Sequence, residues 1–161
     1  MTALKSLLFL IFVPGTVAVY IPLFLLQRGA RVETGIFSYI AYPLWIGGTI
    51  ILLWCFWDFL AKGRGTPAPT DPPKELVLTG LYRLIRNPMY DGVLLVILGH
   101  FLWFESWSLI LYAMVVFAAF HTFVTMYEEP HLKKTFGQTY EDYCKRVPRW
   151  IPKLHSAIID S

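Results

Sequence analysis

Residues 107–127, WSLILYAMVVFAAFHTFVTMY, run for 21 positions without a charged side chain. At ~1.5 Å per residue such a helix is about 31 Å long, close to the roughly 30 Å hydrocarbon core of a bilayer. Working outward, Leu7 to Leu26 and Ile36 to Trp57 are two further uncharged runs of spanning length. Val93 to Phe104 is shorter, and it nearly spans if its helix begins at Pro88. Only Phe104-Glu105-Ser106 separates that segment from Trp107, which predicts a tight helical hairpin. The first run is longer than the apolar region of a signal peptide and no small-residue cleavage site follows it, so it reads as a retained helix.

Composition agrees with this reading. Of 161 residues, 56% are hydrophobic and 16% charged, against roughly 25% charged in a soluble domain. The mean hydropathy is +0.52. These values exclude a disordered chain, a fibrous repeat and a nucleic-acid-binding domain. The net charge is only +3, and the basic residues flank apolar runs instead of forming a stripe. Cys55 and Cys144 provide neither a disulfide framework nor a CxxC pair. The expected fold is an all-α membrane bundle forming one domain over 1–161. Its helices are expected at about 4–26, 36–60, 88–104 and 106–128, with a loop at 61–87 and a tail at 129–161.

Basic residues give the orientation. Lys5, the loop and the tail together carry twelve of them, against Arg28 and Arg31 on the other side. The positive-inside rule then makes both termini and the long loop cytoplasmic, so a cytosolic ligand meets loop and tail together.

The loop begins with a stretch rich in proline and glycine. Its Gly63-Arg64-Gly65 follows no strand and lacks a third glycine, which suits a connector better than a phosphate cradle. Asn87-Pro88 is a helix start, with asparagine as N-cap and proline at the first helical position. Two readings coexist there: a plain opening of the third helix, and an anion site at a helix N-terminus beside Arg86. His121, Thr125, Glu128 and Glu129 fall on one face of a regular helix. His121 either bonds another helix or faces a water-filled cavity, and the two glutamates either mark the membrane exit or bind hydroxyls or an ammonium group. Pro130 then kinks or restarts the helix. Leu132, Phe136, Tyr140, Tyr143 and Val147 recur at helical spacing and predict an amphipathic helix at the cytoplasmic interface. No His/Cys/Asp/Glu set has the spacing of a metal site.

Gly80, Tyr82, Arg86, Pro88, Tyr90 and Gly92 form one motif. Glu128-Glu129, Leu132, Phe136-Gly137, Tyr140 and Tyr143 form a second, and Val147-Pro148-Arg149 a third. In this order, across a short hairpin, they resemble the isoprenylcysteine carboxyl methyltransferases and, more broadly, the membrane methyltransferases that include phospholipid N-methyltransferases. The resemblance covers about residues 76–152. It implies S-adenosylmethionine as cofactor, bound by Tyr82, Asn87, Pro88, Tyr90, Glu128, Glu129 and Tyr140, with Arg86, Arg149 and Glu128 as catalytic residues. It also implies a lipidic or isoprenoid acceptor taken from the bilayer. The departure is Asn87, where the eukaryotic enzymes carry histidine; an amide does not titrate near neutrality, which removes a general base from this position.

Methyl transfer makes modest demands on such a site, because the sulfonium already activates the methyl and alignment is what remains. A carboxylate acceptor needs a cation such as Arg86 or Arg149. An amine needs a proton acceptor, for which Glu128 or Glu129 is available. Two other classes compete: a membrane reductase using NADPH, and a non-enzymatic transporter or assembly subunit, for which polar residues at the midplane are expected.

Overall fold

The computed structural model describes residues 12–26, 35–62 and 76–152, and among them every regular element is helical. Helix α1 is Phe12–Leu25 and contains a π-helical turn at Thr16–Tyr20. Helix α2, Ala41–Lys62, is entered through a 3₁₀ segment at Gly35–Ile40. Helix α3 is Pro88–Phe104 and α4 is Trp107–Phe123. A second π-helical turn, Val124–Glu128, joins α4 to α5, Glu129–Phe136; α6 is Gln138–Arg146. Residues 4–11 of the expected first helix, the Gly63-Arg64-Gly65 connector and residues 153–161 lie outside the described residues.

Two stretches, Gly35–Asp58 and Trp107–Phe136, are long and apolar enough to cross a membrane. Only 11% and 22% of their most apolar windows are buried inside the protein, so neither is the core helix of a soluble domain. Ile46, Ile50, Leu53 and Trp57 of α2 and Leu111, Met114 and Val115 of α4 point outward. Each such side chain forgoes about 1.5–3 kcal/mol if left in water, a cost that a bilayer removes. The chain is a membrane protein.

Small residues let the helices approach. A Cβ added to Gly48 of α2 would lie 2.7 Å from the Gly92 carbonyl oxygen of α3, and one on Gly92 would lie 3.1 Å from that of Gly48. The two backbones therefore touch, as small residues permit between membrane helices. Further along, Gly99 makes room for the Trp45 ring, and His100 is buried between Trp45 and the Val96 carbonyl. Helix α1 is pinned to α4 by the Tyr112 hydroxyl, which donates to the Val17 carbonyl at 2.8 Å within the first π-helical turn. Ala18 then packs with Val93, Val96, Ile97, Ala113 and Val116.

Between α2 and α3, Leu76-Val77-Leu78 has no regular secondary structure, and its side chains divide between two clusters. Val77 packs with Cys55 and Tyr82, while Leu76 and Leu78 pack with Tyr140 and Tyr143 of α6. These three residues thus join the tail to the bundle. The chain then turns at Gly80 (φ +59°), where a Cβ would collide with the Asp58 carboxylate.

The tail differs from the sequence expectation. The periodicity of Leu132 to Val147 predicts one helix, but Gly137 (φ +54°, ψ −129°) breaks it into α5 and α6. Only glycine enters that backbone region at little cost, and periodicity of side chains does not register it. The helical stretch continues from Trp107 to Phe136, and after the π-helical turn the α-helix restarts at Glu129 with Pro130 in its first turn.

Candidate functional site

The site forms where the start of α3, the end of α4 and the returning tail meet. The tail is held by backbone first: the Arg86 amide donates to the Pro148 carbonyl at 2.9 Å. The Asn87 side-chain amide donates to the Arg149 carbonyl at 3.2 Å. Asn87 occupies the N-cap position of α3, yet its side chain makes no capping bond. This corrects the local reading: the Asn87 side chain ties the tail to α3 through its NH₂ group, and its oxygen, which a cap would use as acceptor, makes no bond to the first turn. A third tie runs from the Tyr143 hydroxyl to the Tyr82 carbonyl at 2.7 Å. Replacing Asn87 by serine, too short to reach, or by aspartate, which cannot donate when ionised, is expected to cost about 1–2 kcal/mol. Limited proteolysis would then cut the tail faster, and wild-type cutting rates in both variants would exclude the tie.

With the tail in place, Glu129 sits between two guanidinium groups. Arg149 grips it with two bonds, Nε to Oε1 at 2.7 Å and Nη2 to Oε2 at 2.8 Å. Arg86 Nη1 approaches Oε1 at 2.9 Å and also donates to Cys144 Sγ at 2.9 Å. The bidentate grip raises the Arg149 pKa still further, so its charge is permanent. Burial pushes the phenols of Tyr82, Tyr140 and Tyr143 well above their ordinary value, leaving neutral hydroxyls.

Two cavities flank this cluster, and Arg86 lines both. One, of about 560 Å³, is polar, with Arg86, Glu129, Tyr140, Glu141, Cys144 and Arg149 on its walls. The other, of about 90 Å³, is walled by Val13 and Val17 of α1, Val93 of α3 and Phe120 of α4. Its polar end carries Tyr82, Asn87, Tyr90 and Glu128. The Tyr90 hydroxyl donates to Glu128 Oε2 at 2.8 Å.

The residues expected as one cofactor set are therefore divided. Glu129 and Tyr140 face the polar cavity together with both arginines, whereas Tyr82, Asn87, Tyr90 and Glu128 face the apolar one; Pro88 is buried at the start of α3. The regular-helix reading places His121, Thr125, Glu128 and Glu129 on one face. Thr125 and Glu129 do share the polar cavity, whereas Glu128, one position and about 100° away on the helix, lines the apolar one and His121 lines neither. His121 accepts from Trp150 Nε1 at 3.3 Å, so its partner is the segment after α6 and not another helix. Sequence reasoning did not find Cys144 as a partner of Arg86, nor the part played by Val13 and Val17. Nothing in a linear pattern marks a lone cysteine or an aliphatic pair as lining a site.

Comparison with known proteins gives the family. Residues 79 positions long are 37% identical to protein-S-isoprenylcysteine O-methyltransferase B of Arabidopsis thaliana, covering 48% of this chain and 40% of that protein. Protein-S-isoprenylcysteine O-methyltransferase of Schizosaccharomyces pombe is 36% identical over 85 residues, 49% of this chain and 34% of its own. The nickel-cobalt-cadmium resistance protein NccN of Alcaligenes xylosoxydans xylosoxydans is 32% identical over 106 residues, 66% of this chain and 45% of its own. Each match thus spans less than half of the relative. The family model for phospholipid methyltransferases matches residues 44–139, which include Arg86, Tyr90, Glu128 and Glu129 but stop short of Tyr140 and Arg149. The chain belongs to the phospholipid methyltransferase family.

Proposed function

We propose that this chain is a membrane methyltransferase that uses S-adenosylmethionine to methylate a lipidic or isoprenoid-type acceptor. In this reading α1 to α4 are four membrane crossings, with α3 and α4 as a hairpin. Both termini are cytoplasmic, and residues 1–161 form one domain. The observation that carries it is the Arg86–Glu129–Arg149 cluster, set where a polar cavity and an apolar cavity share a wall.

The polar cavity suits the cofactor in size and in donors. Its volume of about 560 Å³ falls in the range of small-molecule sites, roughly 300–1,000 Å³. Arg86 and Arg149 can share a cofactor carboxylate with Glu129, while the Glu129 and Glu141 carboxylates and the Tyr140 hydroxyl suit an ammonium group and ribose hydroxyls. When bound, S-adenosylmethionine supplies a methyl already activated by its sulfonium. The chain's own part is to align the acceptor from the apolar side with the cofactor on the polar side.

NADPH fits less well. Every cation on the polar walls already has a carboxylate: Arg86 and Arg149 bind Glu129, and Lys133 lies 2.8 Å from Glu141. Several phosphates would need more positive charge than that. Equilibrium dialysis of purified protein with labelled S-adenosylmethionine tests the reading. Micromolar binding that excess NADPH does not displace is expected; NADPH binding in its place would overturn it.

A further inference from the structure

We propose that helix α1 selects the acceptor, with Val13 and Val17 shaping the apolar cavity and Tyr112 as the positioning residue that holds them there. This rests on the methyltransferase reading and names specificity-determining residues for it. Much of the cavity stands on helices that are fixed to one another. Met89, Tyr90 and Val93 belong to α3 and Phe120 to α4, and only Glu105-Ser106 separates those two helices. The α3 backbone in turn touches α2 at Gly48 and Gly92. The wall formed by Val13, Pro14 and Val17 belongs to α1. These residues precede 44–139, the stretch that the family model matches, so family membership does not set this wall.

The backbone of α1 shows why Tyr112 is needed. In the π-helical turn the Ile21 amide donates to the Thr16 carbonyl, five residues back. An α-helix would give that amide to the Val17 carbonyl. A further π-type bond would bring Val17 the amide of residue 22, but Pro22 has no N–H. The Val17 carbonyl is thus left without a donor from its own helix, in apolar surroundings where a bare carbonyl is costly. The Tyr112 hydroxyl supplies the donor at 2.8 Å. That bond fixes the depth and rotation of α1 at the residue whose side chain lines the cavity. Val13, one turn earlier on the same face, is 48% exposed, so the wall ends there at the molecular surface. An acceptor chain that leaves the cavity on this side for the bilayer runs over both valines.

Calorimetry on the full-length protein in detergent tests this, with dodecanol and farnesol as uncharged chain probes and S-adenosylhomocysteine for the cofactor side. Val17→Phe fills the cavity and should weaken dodecanol binding about tenfold, the lower end of what one methylene is worth in an apolar pocket. Its affinity for S-adenosylhomocysteine should stay at the wild-type value. Tyr112→Phe keeps the ring and loses only the bond, and it should show the same selective loss. Adding Pro22→Ala to Tyr112→Phe gives the Val17 carbonyl a backbone donor and should restore dodecanol affinity, a rescue that a packing role for the ring does not produce. No dodecanol binding to wild type, or wild-type affinity in both single variants, would overturn the proposal. A loss in Tyr112→Phe that Pro22→Ala leaves in place would overturn the positioning role. Val17→Ala cannot clash and decides the matter if Val17→Phe does not fold. It widens the cavity and should shift the preference toward methyl-branched farnesol over dodecanol, and an unchanged ratio would overturn the proposal. If this ranking holds while S-adenosylhomocysteine binds none of the proteins, the methyltransferase reading fails and α1 remains the wall of an apolar-ligand site.

Discussion

Glu129→Ala is expected to lower both stability and cofactor affinity, and more than any other single change at the site. The wild-type carboxylate neutralises Arg86 and Arg149, whose side chains are 12% and 31% exposed. Removing it leaves two guanidinium groups facing each other at a site mostly shielded from water. Breaking a buried pair from one side typically costs about 3–5 kcal/mol, because the partner charge is left uncompensated. Thermal unfolding in detergent should register the loss, and dialysis should show weaker cofactor binding. Glu129→Gln should be milder, since the amide oxygen still accepts from one arginine while its NH₂ group opposes the other. A wild-type unfolding midpoint and affinity in Glu129→Ala would show that the cluster neither holds the tail nor shapes the pocket.

Arg86→Ala is the second large effect, and its signature is kinetic. This residue donates its backbone amide to Pro148 and its Nη1 to Glu129 and Cys144, and it stands between the two cavities. The backbone tie survives truncation, so the tail should stay docked. Turnover should fall about ten- to a hundred-fold, as the loss of one charge-assisted contact to the reacting groups implies. Arg86→Lys should recover only part of it, because the shorter side chain places its ammonium away from the position of Nη1, which meets both Glu129 and Cys144. Full activity in the lysine variant would mean that charge alone matters here. Full activity in the alanine variant would remove Arg86 from the machinery.

Much of this architecture can be read along the chain because its causes are local. An uncharged run such as 107–127 has few options other than a membrane helix. Pro88 suits the first turn of a helix by its fixed φ and missing N–H, and α3 starts there. Arg86, Glu129 and Arg149 stand out as charges at the edge of apolar sequence, and all three meet in the structure.

What the sequence by itself determined is therefore helical identity, approximate bounds and the polar residues worth watching. The division of those residues was decided by tertiary structure. Glu128 and Glu129 are neighbours in sequence but about 100° apart around the helix, and the segments packed on either side give them different cavities. Gly137 divides the tail, through a backbone angle that no side-chain pattern encodes. Asn87 and Cys144 find their partners 62 and 58 residues away, where no local propensity applies. Helix α1 lies outside the matched family region, yet it supplies a wall of the apolar cavity once the Tyr112 hydroxyl has fixed it against α4. Local sequence sets which groups can do chemistry; closure of the chain onto itself sets which of them meet, because each such contact becomes favourable only after the bundle has brought distant segments within bonding range.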